Sequence, residues 1–158
     1  MLFRSRPLIR DWVFGCDICQ DVCPVNRKAS EAHQPIQTAE AVGPSGELDL
    51  AELLALSDEE FRSRFQGTSI MRTKRVGLQK NACVALGNNR DEASVPALVS
   101  TLTTAEALVR GHAAWALGQI ATAEAIASLE QAMARETDKY VQDRSEERRV
   151  GKECRSRW

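Results

Sequence analysis

Leu78-Gln79-Lys80-Asn81-Ala82-Cys83-Val84-Ala85-Leu86-Gly87-Asn88 is echoed 31 residues later by Val109-Arg110-Gly111-His112-Ala113-Ala114-Trp115-Ala116-Leu117-Gly118-Gln119. The register continues past the shared Ala-Leu-Gly step: Val95 matches Ile126, Leu98 matches Leu129 and Leu102 matches Met133. Each unit therefore reads as an alanine-rich helix, a stop at Gly or Asn, a short turn and a second amphipathic helix. Small alanines let paired helices approach closely, and the Leu, Ile and Val positions fill a shared core. The chain is mainly α.

A helix pair repeated at fixed period is the pattern of HEAT-like repeats, here shorter than usual. Two units bury their faces poorly, since about three are needed for a stable stack. The segment before them supplies cover. Leu50, Leu53, Leu54, Leu56, Phe61 and Phe65 have helical spacing, and Ser57-Asp58-Glu59-Glu60 reads as an N-cap that divides it into two short helices ended by Gly67. These helices are expected to cap one end of the repeats.

Upstream stands Gly15-Cys16-Asp17-Ile18-Cys19-Gln20-Asp21-Val22-Cys23-Pro24. The spacing C-x2-C-x3-C-P is the second half of the ligand pattern of two-cluster ferredoxins, in which the cysteine before proline serves the other cluster. A lone C-x-x-C is equally half of a zinc site or a redox pair. The third cysteine and the Cys-Pro step favour iron–sulfur. A cubane cluster needs four thiolates, and the other two cysteines, Cys83 and Cys154, lie in unrelated contexts. The organisation expected is a ferredoxin-like iron–sulfur loop segment at 1–30, a Pro- and Gly-containing linker at 31–47, HEAT-like repeats at 48–142 and a non-native tail at 143–158.

The 158 residues carry a formal net charge of −1, which conceals a strong asymmetry. Residues 31–60 hold eight acids and no Lys or Arg, whereas 61–80 hold six bases and no acid. Arg72, Lys74, Arg75 and Lys80, with Arg110 on the next repeat, are the candidate phosphate-binding residues. The plain alternative is a solvated face neutralised by the acids before it. The sequence has no apolar run long enough to span a bilayer and no signal-peptide core. Clustered cysteines suit a reducing compartment, hence the cytoplasm.

The residues around the cysteines narrow the reading. Arg6-Pro7-Leu8-Ile9-Arg10-Asp11-Trp12-Val13-Phe14-Gly15-Cys16 through Cys23-Pro24-Val25-Asn26-Arg27 resembles the second cluster segment of the epoxyqueuosine reductase family. Phe61-Arg62-Ser63-Arg64-Phe65-Gln66-Gly67-Thr68-Ser69-Ile70, Arg72-Thr73-Lys74-Arg75, Asn81 to Asn88 and His112 to Gly118 are similar to that family's repeat region. Val25 departs from the pattern, standing where the family's motif usually has Trp. The resemblance implies an oxidoreductase that reduces epoxyqueuosine to queuosine in tRNA, with cobalamin and two 4Fe–4S clusters. Carried onto this chain, it makes Cys16 and Cys19 ligands of one cluster and Cys23 a ligand of the other. It places main chain at Gly15, Cys16 and Asp17 against cobalamin, and the anticodon stem-loop of tRNA on the basic stretch. It also implies an outside electron donor and a catalytic part upstream of Met1, so that this chain has no catalytic residue of its own and is inactive alone. A ferredoxin-type electron carrier and a HEAT-repeat binding module with an incomplete metal loop are the competing readings.

The remaining conspicuous residues have plainer readings. Cys83 reads as a small buried hydrophobe, His112 as packed rather than catalytic, and Trp115 as inter-repeat core. Trp12 and Phe14 read as walls of the cluster or cofactor cavity. Asp17 and Asp21 suit solvation rather than paired acid–base work, and His33 lies in the linker. From Arg144 to Trp158 the repeat pattern is lost, and the string resembles a translated vector scar.

Overall fold

The computed structural model describes residues 6–15, 18–26, 48–139 and 141–142, and only the backbone of Gln20 and Asp21. The expected linker, His33, the tail with Cys154, Cys16 and Asp17 lie outside the described residues. Two short helices, α1 (Arg6–Ile9) and α2 (Ile18–Asp21), belong to the cysteine segment. Six more carry the rest: α3 (Leu50–Ala55), α4 (Asp58–Phe65), α5 (Lys74–Asn89), α6 (Val95–Thr104), α7 (Ala107–Ile120) and α8 (Ala123–Arg135). Short 3-10 turns at Ser69–Thr73 and Glu92–Ser94 lead into α5 and α6.

The caps explain where the short helices begin. Asp49 accepts from the Ala51 and Glu52 amides at 2.8 and 3.3 Å, starting α3. Ser57 and Glu60 form a reciprocal capping box that starts α4, with the Ser57 amide donating to Glu60 at 2.8 Å. The expected division at Ser57 is therefore present. Buried Gln79 closes the far end of α3: its Nε2 donates toward the carbonyls of Leu53, Leu54 and Leu56 at 3.3, 2.9 and 3.2 Å. Those are carbonyls that the helix leaves without partners of its own.

One core joins the cap helices to both repeats. Phe61 and Phe65, with ring centroids 5.2 Å apart, pack with Leu53, Leu78, Leu98, Val109, Leu117 and Leu129, all buried. The 31-residue register extends to the helix ends, since Arg90 after α5 and Ala121 after α7 are both left-handed, at φ 53° and 59°. Here the structure corrects the expected stop. Neither Gly87-Asn88 nor Gly118-Gln119 ends its helix; α5 runs on to Asn89 and α7 to Ile120. Gly87 instead lies at a tight approach between α5 and α7. A Cβ there would lie 2.8 Å from the Trp115 ring and 2.9 Å from the Ala116 Cα.

Candidate functional site

The residues Arg6 to Gly15, which lead into the cysteine motif, lie on the first helices of the two repeats. Asn81 and Asn88, seven residues apart, share one stripe of α5. Asn81 Nδ2 donates to the Val13 carbonyl at 2.8 Å. Asn88 Nδ2 donates to the carbonyls of Arg6 and Arg10 at 2.9 and 2.7 Å. Arg6 is itself buried, its guanidinium 4.7 Å from the centroid of the Trp115 ring on α7, a cation–π stack. The segment bends to meet these partners: Arg10 takes φ 54° and Gly15 takes φ 66°. Among the described residues nothing lies within 4 Å of a Cβ built at Gly15.

Cys19 is exposed and Cys23 half-buried. The backbone amides of Asn26, chiefly, and of Val25 point at the Cys23 sulfur and lower its pKa below the ordinary thiol value. That favours the thiolate, which is the form that ligates metal. Thiolate sulfur is a soft donor that suits zinc, copper(I) or iron–sulfur centres; Cys16 lies outside the described residues. Among the described residues no three His, Cys, Asp or Glu side chains converge on one point. Cys83 behaves otherwise. It is fully buried, and desolvation pushes its thiol up to about 12, which marks an inert core residue.

The basic residues are dispersed. Arg75 lies between carboxylates, its Nε 2.8 Å from Asp58 Oδ1 and its Nη2 2.6 Å from Glu106 Oε1, with Nη1 donating to Gln79 at 2.9 Å. It thereby links the cap helix α4 to both repeats. Arg110 pairs with both oxygens of Glu136 at 2.9 and 3.0 Å and donates to the Ala105 carbonyl at 3.0 Å. The Arg110 hydrogen bonds hold the Glu136 carboxyl below its ordinary pKa. Arg64 reaches Glu52 at 3.5 Å. Neutralisation by the acids upstream is thus realised for Arg75 and Arg64. Arg72 and Lys74 are exposed and Lys80 is half-buried. Lys74 has φ 58° with ψ 163°, a backbone region few residues other than glycine enter.

Several side chains have clear places. His112, the counterpart of Asn81, is buried with Nδ1 2.9 Å from the Leu108 carbonyl; a carbonyl only accepts, so Nδ1 carries the proton. Trp115 packs partly against the core while receiving Arg6. Trp12 is half-buried and Phe14 exposed. The anchoring by Asn81, Asn88 and Trp115 was not read from the sequence. Its signal was two asparagines at i and i+7 of one helix.

Paired helices stacked at a fixed register, with one core running through them, define a helical-repeat protein. Residues 69–147, half of the chain, match the HEAT-repeat family, and the chain belongs to it. It is also similar to a Geobacillus stearothermophilus protein from the gldA 3′ region, with 30% identity over 140 residues, 87% of this chain and 63% of that protein. Epoxyqueuosine reductase of Bacillus subtilis is 33% identical over 141 residues, 86% of this chain. A crystal structure of epoxyqueuosine reductase with a tRNA-Tyr epoxyqueuosine-modified stem loop superposes with TM-score 0.75 at 29% identity, over 93% of this chain and 39% of that one. The chain spans about a third of the length of the Bacillus subtilis reductase, 34%. The resemblance read from the motifs is met by these relatives.

Proposed function

We propose that this chain is one part of an epoxyqueuosine reductase: it brings thiolate ligands for iron–sulfur clusters and a repeat surface for tRNA. The observation that carries the reading is its likeness, over 93% of its length, to the reductase solved with a modified tRNA stem loop. In this reading Cys16 and Cys19 hold one 4Fe–4S cluster, Cys23 serves the other, and Gly15 to Asp17 line cobalamin. When bound, these groups supply the electrons and the reducing cobalt centre that remove the epoxide oxygen; an outside donor replenishes them. The chain's own part is to hold thiolates, turn sharply at Gly15 and carry the RNA. Leu8, Phe14, Ile18, Val22 and Val25 are exposed, an apolar surface that suits cover by the rest of such an enzyme. No helix among the described residues is long and apolar enough to cross a membrane.

Within the basic stretch, Arg72 and Lys74 are the test. Both are exposed, whereas Arg75 and Arg110 also hold the repeats together. Phosphate contacts fix an RNA's register and make its binding salt-dependent. Arg72→Glu with Lys74→Glu is expected to weaken binding of an anticodon stem-loop about tenfold at moderate salt and to reduce the salt slope by about one contact per residue. The melting temperature should hold. Unchanged affinity and slope would remove this stretch from the RNA surface.

A further inference from the structure

The cysteine segment has few means of fixing itself. Its described helices are single turns, and several of its large apolar side chains face outward. Among the described residues, the repeats tie it to the rest of the molecule. Three backbone carbonyls, those of Arg6, Arg10 and Val13, receive amide donors from Asn81 and Asn88. The Arg6 side chain is stacked on Trp115 of the next repeat. The two asparagines read backbone, so the site depends on chain path rather than on side-chain identity, whereas Trp115 selects the cation. The last of these three carbonyls, that of Val13, stands three positions before Cys16. A hinge-like left-handed glycine follows it.

We propose that Asn81, Asn88 and Trp115 are positioning residues: the repeats act as a clamp that fixes where the cysteine ligands stand relative to the rest of the protein. This rests on the reading of Cys16, Cys19 and Cys23 as metal ligands, but it assigns the repeats a second task besides carrying RNA. Seven-residue spacing puts both asparagine amides on one stripe of α5, and the buried core beneath locks their helix in place. Each donor meets a main-chain carbonyl, two of them in α1 and the bend that follows it and the third at Val13. The cysteine motif itself occupies residues 16–24 of the sequence. Its placement on the repeats is set by the clamp.

The two properties can be measured separately on this chain. A spin label on Cys19 and a second on Gln131→Cys of α8, with the other cysteines changed to serine, report the distance between segment and repeats. With both asparagines in place the distribution should be narrow, and Asn81→Ala with Asn88→Ala should broaden it at least twofold while the helical circular dichroism stays the same. Replacing Trp115 by Phe, which keeps a ring face, should restore most of the narrowing lost in Trp115→Ala. In the chain with all its cysteines, a titration with cobalt(II) alone should give thiolate-to-metal absorption of equal strength with and without the asparagine pair. Coincident distance distributions in clamped and unclamped proteins would overturn the clamp and leave the metal reading standing. Absent cobalt–thiolate absorption would overturn the metal reading, and the positioning role with it.

Discussion

Gly87→Ala is expected to be among the most damaging single-methyl additions in the protein. The new Cβ would meet the Trp115 ring at 2.8 Å and the Ala116 backbone at 2.9 Å. A backbone atom cannot turn aside, so α5 and α7 must separate. Overpacking of this kind costs about 1–3 kcal/mol, and for a repeat region of this size each kcal/mol lowers the melting temperature by about 4–8 °C. Gly77→Ala, ten residues earlier in the same helix, is the control. There the added Cβ would make only ordinary contact, 3.6 Å from Thr73, and helix propensity favours alanine by about 0.5–1 kcal/mol. The two substitutions should therefore move thermal stability in opposite directions by circular dichroism. Equal destabilisation would mean that α5 and α7 do not cross at Gly87. Because Trp115 also carries Arg6, Gly87→Ala should loosen the cysteine segment as well.

Arg110→Met is expected to lower stability by about 1–2 kcal/mol, the order of a partly exposed charged hydrogen bond. It strips Glu136 of a bidentate partner and the Ala105 carbonyl of a donor. The pH dependence follows from the sign of the Glu136 shift. Its carboxyl is held below the ordinary value of 4.5, chiefly by Arg110. The folded state therefore gains stability that is present above that value and fades as the pH falls through the lower, folded one. The difference in melting temperature between wild type and Arg110→Met should be widest near neutral pH and should shrink below about pH 4.5. A variant that melts like wild type at neutral pH yet binds RNA more weakly would instead make Arg110 an RNA contact and not a strut.

The repeat was legible because two physical signals coincided. Alanine at the helix crossings and large aliphatic residues in the core recur at one period, and both helix pairs fold as that period requires. Ser57 and Glu60 were legible for a local reason, since a capping box needs only four residues. The helix ends were not. Gly87 looks like a stop by residue type, but whether a glycine ends a helix or admits a neighbour depends on what packs against it, and Trp115 lies 28 positions away. Arg90 and Ala121 adopt left-handed caps that their side chains do not favour, so propensity pointed elsewhere. The ion pairs of Arg75 and Arg110 were not legible, because charge runs in sequence are visible while their carboxylate partners are distant. Asp58 lies 17 residues from Arg75, Glu106 lies 31, and Glu136 lies 26 from Arg110. The clamp was hidden for the same reason: Asn81 and Asn88 reach back 68 to 82 residues to find their carbonyls.

The most direct test of the reductase reading joins this chain to the rest of the polypeptide that its relatives carry. Iron and acid-labile sulfide would be counted per chain after anaerobic reconstitution, and conversion of epoxyqueuosine to queuosine followed in a tRNA stem-loop. The reading predicts two four-iron clusters and product formation in the parent protein. It predicts loss of about half the iron in Cys19→Ala, loss of the other half in Cys23→Ala, and no product from either. Undiminished iron and product in both variants would contradict it, as would a parent protein that takes up no iron.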